Sequence, residues 1–189
     1  MRIRPALLSL ILALPMALPL AAQVLEPSML GVQGRISIPE GSMRDALGGL
    51  RIPGFGASLF AEVDLGDSLH ARASLGADIW PQGKGNLSSD DRQIQAFHLG
   101  GEVLYFLRDE GEKELRGPYV TAGLAGYAWS LGKDVTGTGT KRRVLHGAAT
   151  LGLGWRLARH LDAEVKVLAG RIDPGVDAMV LMAGLNYRF

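Results

Sequence analysis

The chain has 189 residues, 47% hydrophobic, 21% charged and 6% aromatic, with 26 glycines and no cysteine. Near-balanced charge (Lys+Arg 20, Asp+Glu 19) excludes a polycationic nucleic-acid binder, and the apolar content excludes a disordered chain. Without cysteine there is no disulfide scaffold, thiolate metal site or cysteine nucleophile.

Residues 1–22 read as a cleaved export signal. Arg2 and Arg4 supply a basic start, an apolar run follows from Ala6 to Leu20, and Ala21-Ala22 offers a small-residue cleavage site. Pro15 and Pro19 and the short run argue against a membrane-spanning helix. The remainder, 23–189, is expected to form one domain. The signal holds two of the 20 basic residues and no acid, so the exported part carries 18 − 19, or −1.

From there the chain alternates apolar and polar residues with a period of two, the signature of strands. Eight are expected: 29–38, 54–65, 69–80, 94–107, 118–130, 144–157, 161–170 and 178–189. The third sets Leu69, Ala71, Ala73, Leu75, Ala77 and Ile79 against His70, Arg72, Ser74, Gly76 and Asp78. The seventh sets Leu161, Ala163, Val165, Val167 and Ala169 against Asp162, Glu164 and Lys166. The fifth is the least regular, because Tyr119, Tyr127 and Trp129 fall on its less apolar face.

Gly66-Asp67-Ser68 and Ala158-Arg159-His160 are tight connections, while 39–53, 81–93, 131–143 and 171–177 are expected to be long loops. The segment 108–117 fits neither set. This rhythm predicts an all-β fold: an eight-stranded antiparallel up-and-down transmembrane barrel. Its apolar face is expected outward, in lipid. The faces so drawn carry no Asp, Glu, Lys or Arg, and a charge at the bilayer midplane costs a few kcal/mol. The polar faces mix charge with glycine, as in Gly152-x-Gly154-x-Arg156. Glycine suits a narrow lumen in which large neighbours need room.

The chain ends Tyr187-Arg188-Phe189, with Leu181, Ala183, Leu185, Tyr187 and Phe189 at alternate positions. This pattern resembles the C-terminal signature of bacterial outer-membrane β-barrels. The exported part looks like a small barrel of the OmpA/OmpX type, and Gly117-Pro118-Tyr119-Val120 is similar to such proteins. The resemblance implies a bacterial outer-membrane location and recognition of the terminal strand by the barrel assembly machinery. Its implied partners are outer-membrane lipid and lipopolysaccharide, with no nucleic acid and a monomeric state. With the N-terminus in the periplasm, the long loops would face outward.

The lumen is expected to hold Arg35, Glu62, Asp64, Arg72, Asp78, Glu102, Arg156, Asp162, Glu164, Lys166 and Arg188, with His70, His98 and His146. Buried charges must pair. Counting outward from the tight turns places Glu62 opposite Arg72, Asp64 opposite His70 and Arg156 opposite Asp162. The network is expected to plug the barrel. A narrow pore for small solutes or hydrophobic molecules is the alternative, and a soluble periplasmic ligand-binding barrel the second.

No catalytic residue, cofactor or metal site is expected. Three histidines fall on separate strands and His160 in a turn, without metal-ligand spacing or a His-x-Ser pair. Gly137-Thr138-Gly139-Thr140-Lys141 lacks phosphate-loop spacing. In the loops, Lys133, Lys141, Arg142 and Arg143 are candidates for lipopolysaccharide phosphates, and Asp90-Asp91 is a weak cation candidate. A non-enzymatic envelope or surface-interaction role follows.

Overall fold

The computed structural model describes residues 29–49, 52–66, 68–81, 93–107, 117–132, 135 and 140–189. The export signal, Asp90-Asp91, Lys133, most of the 108–117 segment, most of the loop 81–93 and part of the loop 131–143 lie outside the described residues.

The strands are β1 (Met29–Glu40), β2 (Gly54–Gly66), β3 (Leu69–Pro81), β4 (Gln93–Phe106), β5 (Gly117–Leu131), β6 (Arg142–Ala158), β7 (Leu161–Asp173) and β8 (Val176–Arg188). Their ends lie within three residues of those that alternation predicts. Each pairs antiparallel with its chain neighbours, and β1 closes on β8. The Phe189 amide donates to the Leu30 carbonyl at 2.9 Å, so the ladder runs to the terminal residue.

The register sets the size of the barrel. Paired residues lead round it from Met29 through Glu62, Arg72, Glu102, Gly123, Thr150, Leu168 and Val180. The path returns to β1 at Pro39, so the stagger is 39 − 29, or ten residues. With eight strands this corresponds to a tilt of about 40° and a backbone radius of about 8 Å. Such an interior is just wide enough for side chains to fill.

Two connections differ from expectation. The 171–177 segment is a tight hairpin rather than a long loop: β7 runs to Asp173 and β8 starts at Val176. Proline with a left-handed glycine after it, Pro174 and Gly175 (φ 86), is the pattern of a type II turn, and only glycine adopts that second position without strain. The 39–53 segment contains a six-residue helix, α1 (Gly41–Ala46), that was not expected. Its Met43 and the following Leu47 are buried in the barrel mouth. Each such burial is worth about 1.5–3 kcal/mol. A helix this short has no stability of its own, so burial rather than propensity forms it.

Large apolar side chains cover the outside, among them Leu59, Leu75, Leu99, Leu124, Leu151 and Leu153. Aromatic Phe55 and Phe97 lie toward the end carrying α1, and Tyr105, Trp155, Tyr187 and Phe189 toward the end carrying the Gly66 and His160 turns. From Phe55 to Leu65 on β2 the tilted strand rises about 25 Å, the height of a lipid-facing band.

Candidate functional site: the lumen

Alternation turns every second residue inward, and closure brings these together from all eight strands. The resulting lumen has two halves.

The half near the Gly66 and His160 turns holds charge. The Arg72 guanidinium donates to Glu164 at 2.5 Å and to Glu62 at 3.1 Å. Arg156 reaches Glu62 at 2.5 Å and Asp162 at 3.3 Å. Arg188 grips Asp162 with two bonds of 2.5 and 2.6 Å. Lys166 joins Glu102 at 2.7 Å and Glu164 at 2.7 Å. The Tyr119 hydroxyl donates to Glu164 at 2.5 Å. Phe60 and Phe106 lie beneath Arg72 and Arg156, with guanidinium-to-ring distances of 4.8 and 4.4 Å. Nearer mid-barrel, Arg35 holds Asp78 through two bonds of 2.7 Å. Gln33 links the two groups, accepting from Arg35 at 2.8 Å and donating to Glu164 at 3.1 Å.

The half near α1 is apolar. Trp80, Ile94, Trp129, Leu168, Ile172 and Val180 are buried there with Met43 and Leu47. Tyr127 and Trp129 stack at 5.1 Å, and His98 stacks on Tyr127 at 5.1 Å where the halves meet. Among the described residues, charged lining is therefore confined to the other half and the middle of the barrel. The aromatic residues that make β5 irregular in sequence are its lumen face.

Of the charged residues expected inside, Asp64 is the exception. It faces His70 in the register, but the ladder shifts between Asp64 and Gly66, and its carboxylate accepts from the Gly66 amide at 2.8 Å. Asp64 is exposed at the rim, and His70 instead approaches Glu62 at 3.1 Å. Six acids less Asp64 leaves five carboxylates against five basic groups inside, among the described residues. Glu62 with Arg72, and Arg156 with Asp162, sit opposite one another and bond. His146 is half-buried beside Tyr127, and His160 Nδ1 lies 2.9 Å from the Arg188 carbonyl oxygen.

Lysine and arginine at the helix end divide by face. Lys141, Arg142 and Arg143 are exposed, and Arg142 pairs with Asp173 at 2.8 Å. Arg143 lies on the same outward face as Leu145, and Arg171 on the same face as Ala169. The outward faces thus carry charge at this rim, contrary to the shorter strands expected from sequence.

The lumen glycines face large partners. An added Cβ at Gly76 would lie 2.6 Å from His98 Cε1, and at Gly152 2.5 Å from Lys166 Cγ. At Gly154 it would collide with the Tyr119 ring. Gly154→Ala should therefore lower barrel stability by about 1–3 kcal/mol through overpacking. Gly34, which points outward with nothing within 4 Å, should tolerate alanine. Thermal unfolding of the two variants side by side checks the contrast.

The lumen retains a cavity of about 40 Å³, lined by Arg35, Arg72, His98, Glu102, Glu164 and Lys166 among others. At 10–15 Å³ of such volume per molecule, it has room for about three waters.

No family model matches the chain, and no curated protein matches it. Among solved structures it is similar to Ail, the attachment invasion locus protein of Yersinia pestis. Identity is 12%, coverage 85% of this chain and 97% of that one, and the TM-score 0.52. The backbone structure of Ail in a phospholipid bilayer nanodisc matches at 13% identity, 83% and 99% coverage and a TM-score of 0.50. Neisserial surface protein A aligns at 15% identity over 85% and 96%, with a TM-score of 0.48. The likeness to Ail is one of fold: a small closed eight-stranded antiparallel barrel.

Proposed function

We propose that this chain is an integral protein of the bacterial outer membrane, non-enzymatic, serving envelope structure or surface interaction. The observation that carries the reading is its inside-out distribution. Leucine and aromatic residues cover a band of about 25 Å, and ten charged side chains are bonded to one another within. A water-soluble barrel would reverse this arrangement.

The filled lumen supports a plug rather than a pore. The carboxylates nearest His70 and His98, Glu62 and Asp78, are already bound to arginines, which favours a structural role for these histidines. Arg171, outward at the helix-end rim with Arg143, extends the lipopolysaccharide-phosphate reading made for Lys133, Lys141, Arg142 and Arg143. Arginine at that depth meets phosphate through charge-assisted bonds.

Fractionation of cells producing the protein, with gel mobility before and after boiling, tests the proposal. The expected result is partition with outer membranes and a faster-running unboiled band. Recovery in the soluble periplasmic fraction would overturn it in favour of a ligand-binding barrel. Large single-channel steps would favour the pore.

A further inference from the structure

The outward surface of the barrel is grooved. Across the β1–β8 seam lies an open groove of about 860 Å³, floored by Gly34, Ala163 and Ala183 and walled by Ile36, Leu153 and Trp155. A second groove of about 430 Å³ continues it over β2, β3 and β4. Ala57 and Ala77 floor this part, and Ile79 and Phe97 wall it. The two meet at Phe55 and Gly56. The floor is low for a reason of sequence. Gly34 pairs with Ala57 and Ala57 with Ala77, so three adjacent strands set a glycine or alanine side by side. Leu59 and Leu75, the next outward pair, form a ridge along it.

The two ends of this trench differ. It follows rows of paired residues, which run perpendicular to the strands. With strands about 40° from the barrel axis, the trench climbs at about 50° to that axis. Its low end is Trp155, beside the His160 turn. Its high end is polar. Ile79 pairs with Gln95, Gln95 with Ser130 and Ser130 with Arg143, all on outward faces. At about 4.8 Å per strand, the Arg143 backbone lies about 10 Å beyond that of Gln95. Arg142 is engaged by Asp173, whereas Arg143 makes no ion pair among the described residues. An apolar trench open to lipid along its length thus ends at an amide, a hydroxyl and a guanidinium. The molecule that matches it has an apolar chain and an anionic head. With the N-terminus in the periplasm, the polar end belongs to the outer leaflet.

We propose that this trench binds the lipid A anchor of one lipopolysaccharide molecule. An acyl chain lies along the small-residue floor, a phosphate bonds Arg143, and Gln95 and Ser130 donate to the headgroup. Neighbouring lipids align with the membrane normal, so a chain held at this inclination crosses them and is set apart from ordinary bilayer contact. The site rests on the outer-membrane reading and extends the phosphate reading of the rim to a whole lipid. Membrane partition without retained lipid A would overturn the site and leave the outer-membrane assignment intact.

Native mass spectrometry of the folded full-length barrel tests it. Lipid A and phosphatidylglycerol are supplied in equal amounts in detergent micelles, and the lipid retained by each barrel is counted. Binding should saturate at one lipid A. Arg143→Ala should weaken it about tenfold, the loss of one charge-assisted hydrogen bond. Gly34→Leu, which raises the floor, should weaken it to a comparable degree, and Ala77→Leu repeats the block on a second strand. Ala122→Leu adds bulk on β5 outside the trench and should bind like the parent. Gel mobility before and after boiling confirms that each variant is folded. Adducts that accumulate without saturating, or equal retention of phosphatidylglycerol, would overturn the proposal. So would unchanged binding in both floor variants, or an equal loss in Ala122→Leu. Unchanged binding in Arg143→Ala would overturn the phosphate contact.

Discussion

Replacing Arg72 with alanine should lower the unfolding free energy of the barrel by about 3–5 kcal/mol, the cost of breaking a buried charge pair. The Arg72 side chain is only 2% exposed and is shared by Glu62 and Glu164, which would be left close together without it. Arg156 and Lys166 would still touch those carboxylates, so the loss is expected within that range rather than above it. Arg142→Ala removes an ion pair of similar length, but its side chain is 53% exposed. Solvent screening should hold that loss to about 1 kcal/mol or less. Urea unfolding of the two variants, followed by gel mobility, checks the difference. Single-channel recording should show no large conductance in Arg72→Ala, because Phe60, Phe106, Tyr119 and the apolar half still fill the lumen. Unchanged stability would show that the network is not a structural plug.

Leu75→Arg should cost about 2–4 kcal/mol when the barrel folds into a bilayer, the penalty for arginine at the membrane midplane. Leu75 points outward at the middle of β3 and is 57% exposed. Leu65→Arg, beside the Gly66 turn on β2, should cost only about 0–1 kcal/mol, since arginine near the interface reaches headgroups and water. The comparison separates two environments that leave identical marks on a bare structure. In water both substitutions would be nearly neutral, as exposed changes are. In lipid the cost must depend on depth. Equilibrium folding into liposomes across a urea series measures both. Equal effects at the two depths would remove the lipid-facing band.

The strands were legible because one physical demand acts on almost every residue of the barrel. Lipid outside and a narrow lumen inside impose a period of two. Hairpin partners were legible for a related reason: across a tight turn, register is simple counting, and Glu62 with Arg72 follows from it. The misreadings have local causes. Asp64 was assigned by alternation, yet the ladder shifts at the turn and the backbone amide of Gly66 claims its carboxylate. Alternation stops at Gly170 and marks 171–177 as a loop, yet Pro174-Gly175 is itself a turn signal and closes a hairpin there. Extending β7 through that turn is what places Arg171 on the outward face.

Legible along the chain alone are the fold class, the strand ends to within a few residues, the face of nearly every strand residue, and the expectation of an exported barrel. Period, turn chemistry and terminal pattern are local, so they can be read along the chain. Only the tertiary structure decided which inward residues share a height and which touch. Arg72 meets Glu164 across 92 residues and Arg156 meets Glu62 across 94. No count along one hairpin predicts these pairs, because they depend on closure and on a ten-residue stagger. Closure also divided the lumen into charged and apolar halves and drew α1 into the mouth. It gave the lumen glycines their partners, setting Gly154 against Tyr119 and Gly152 against Lys166. Alternation is blind to position along the barrel axis, and that axis is where the structure made its distinctions.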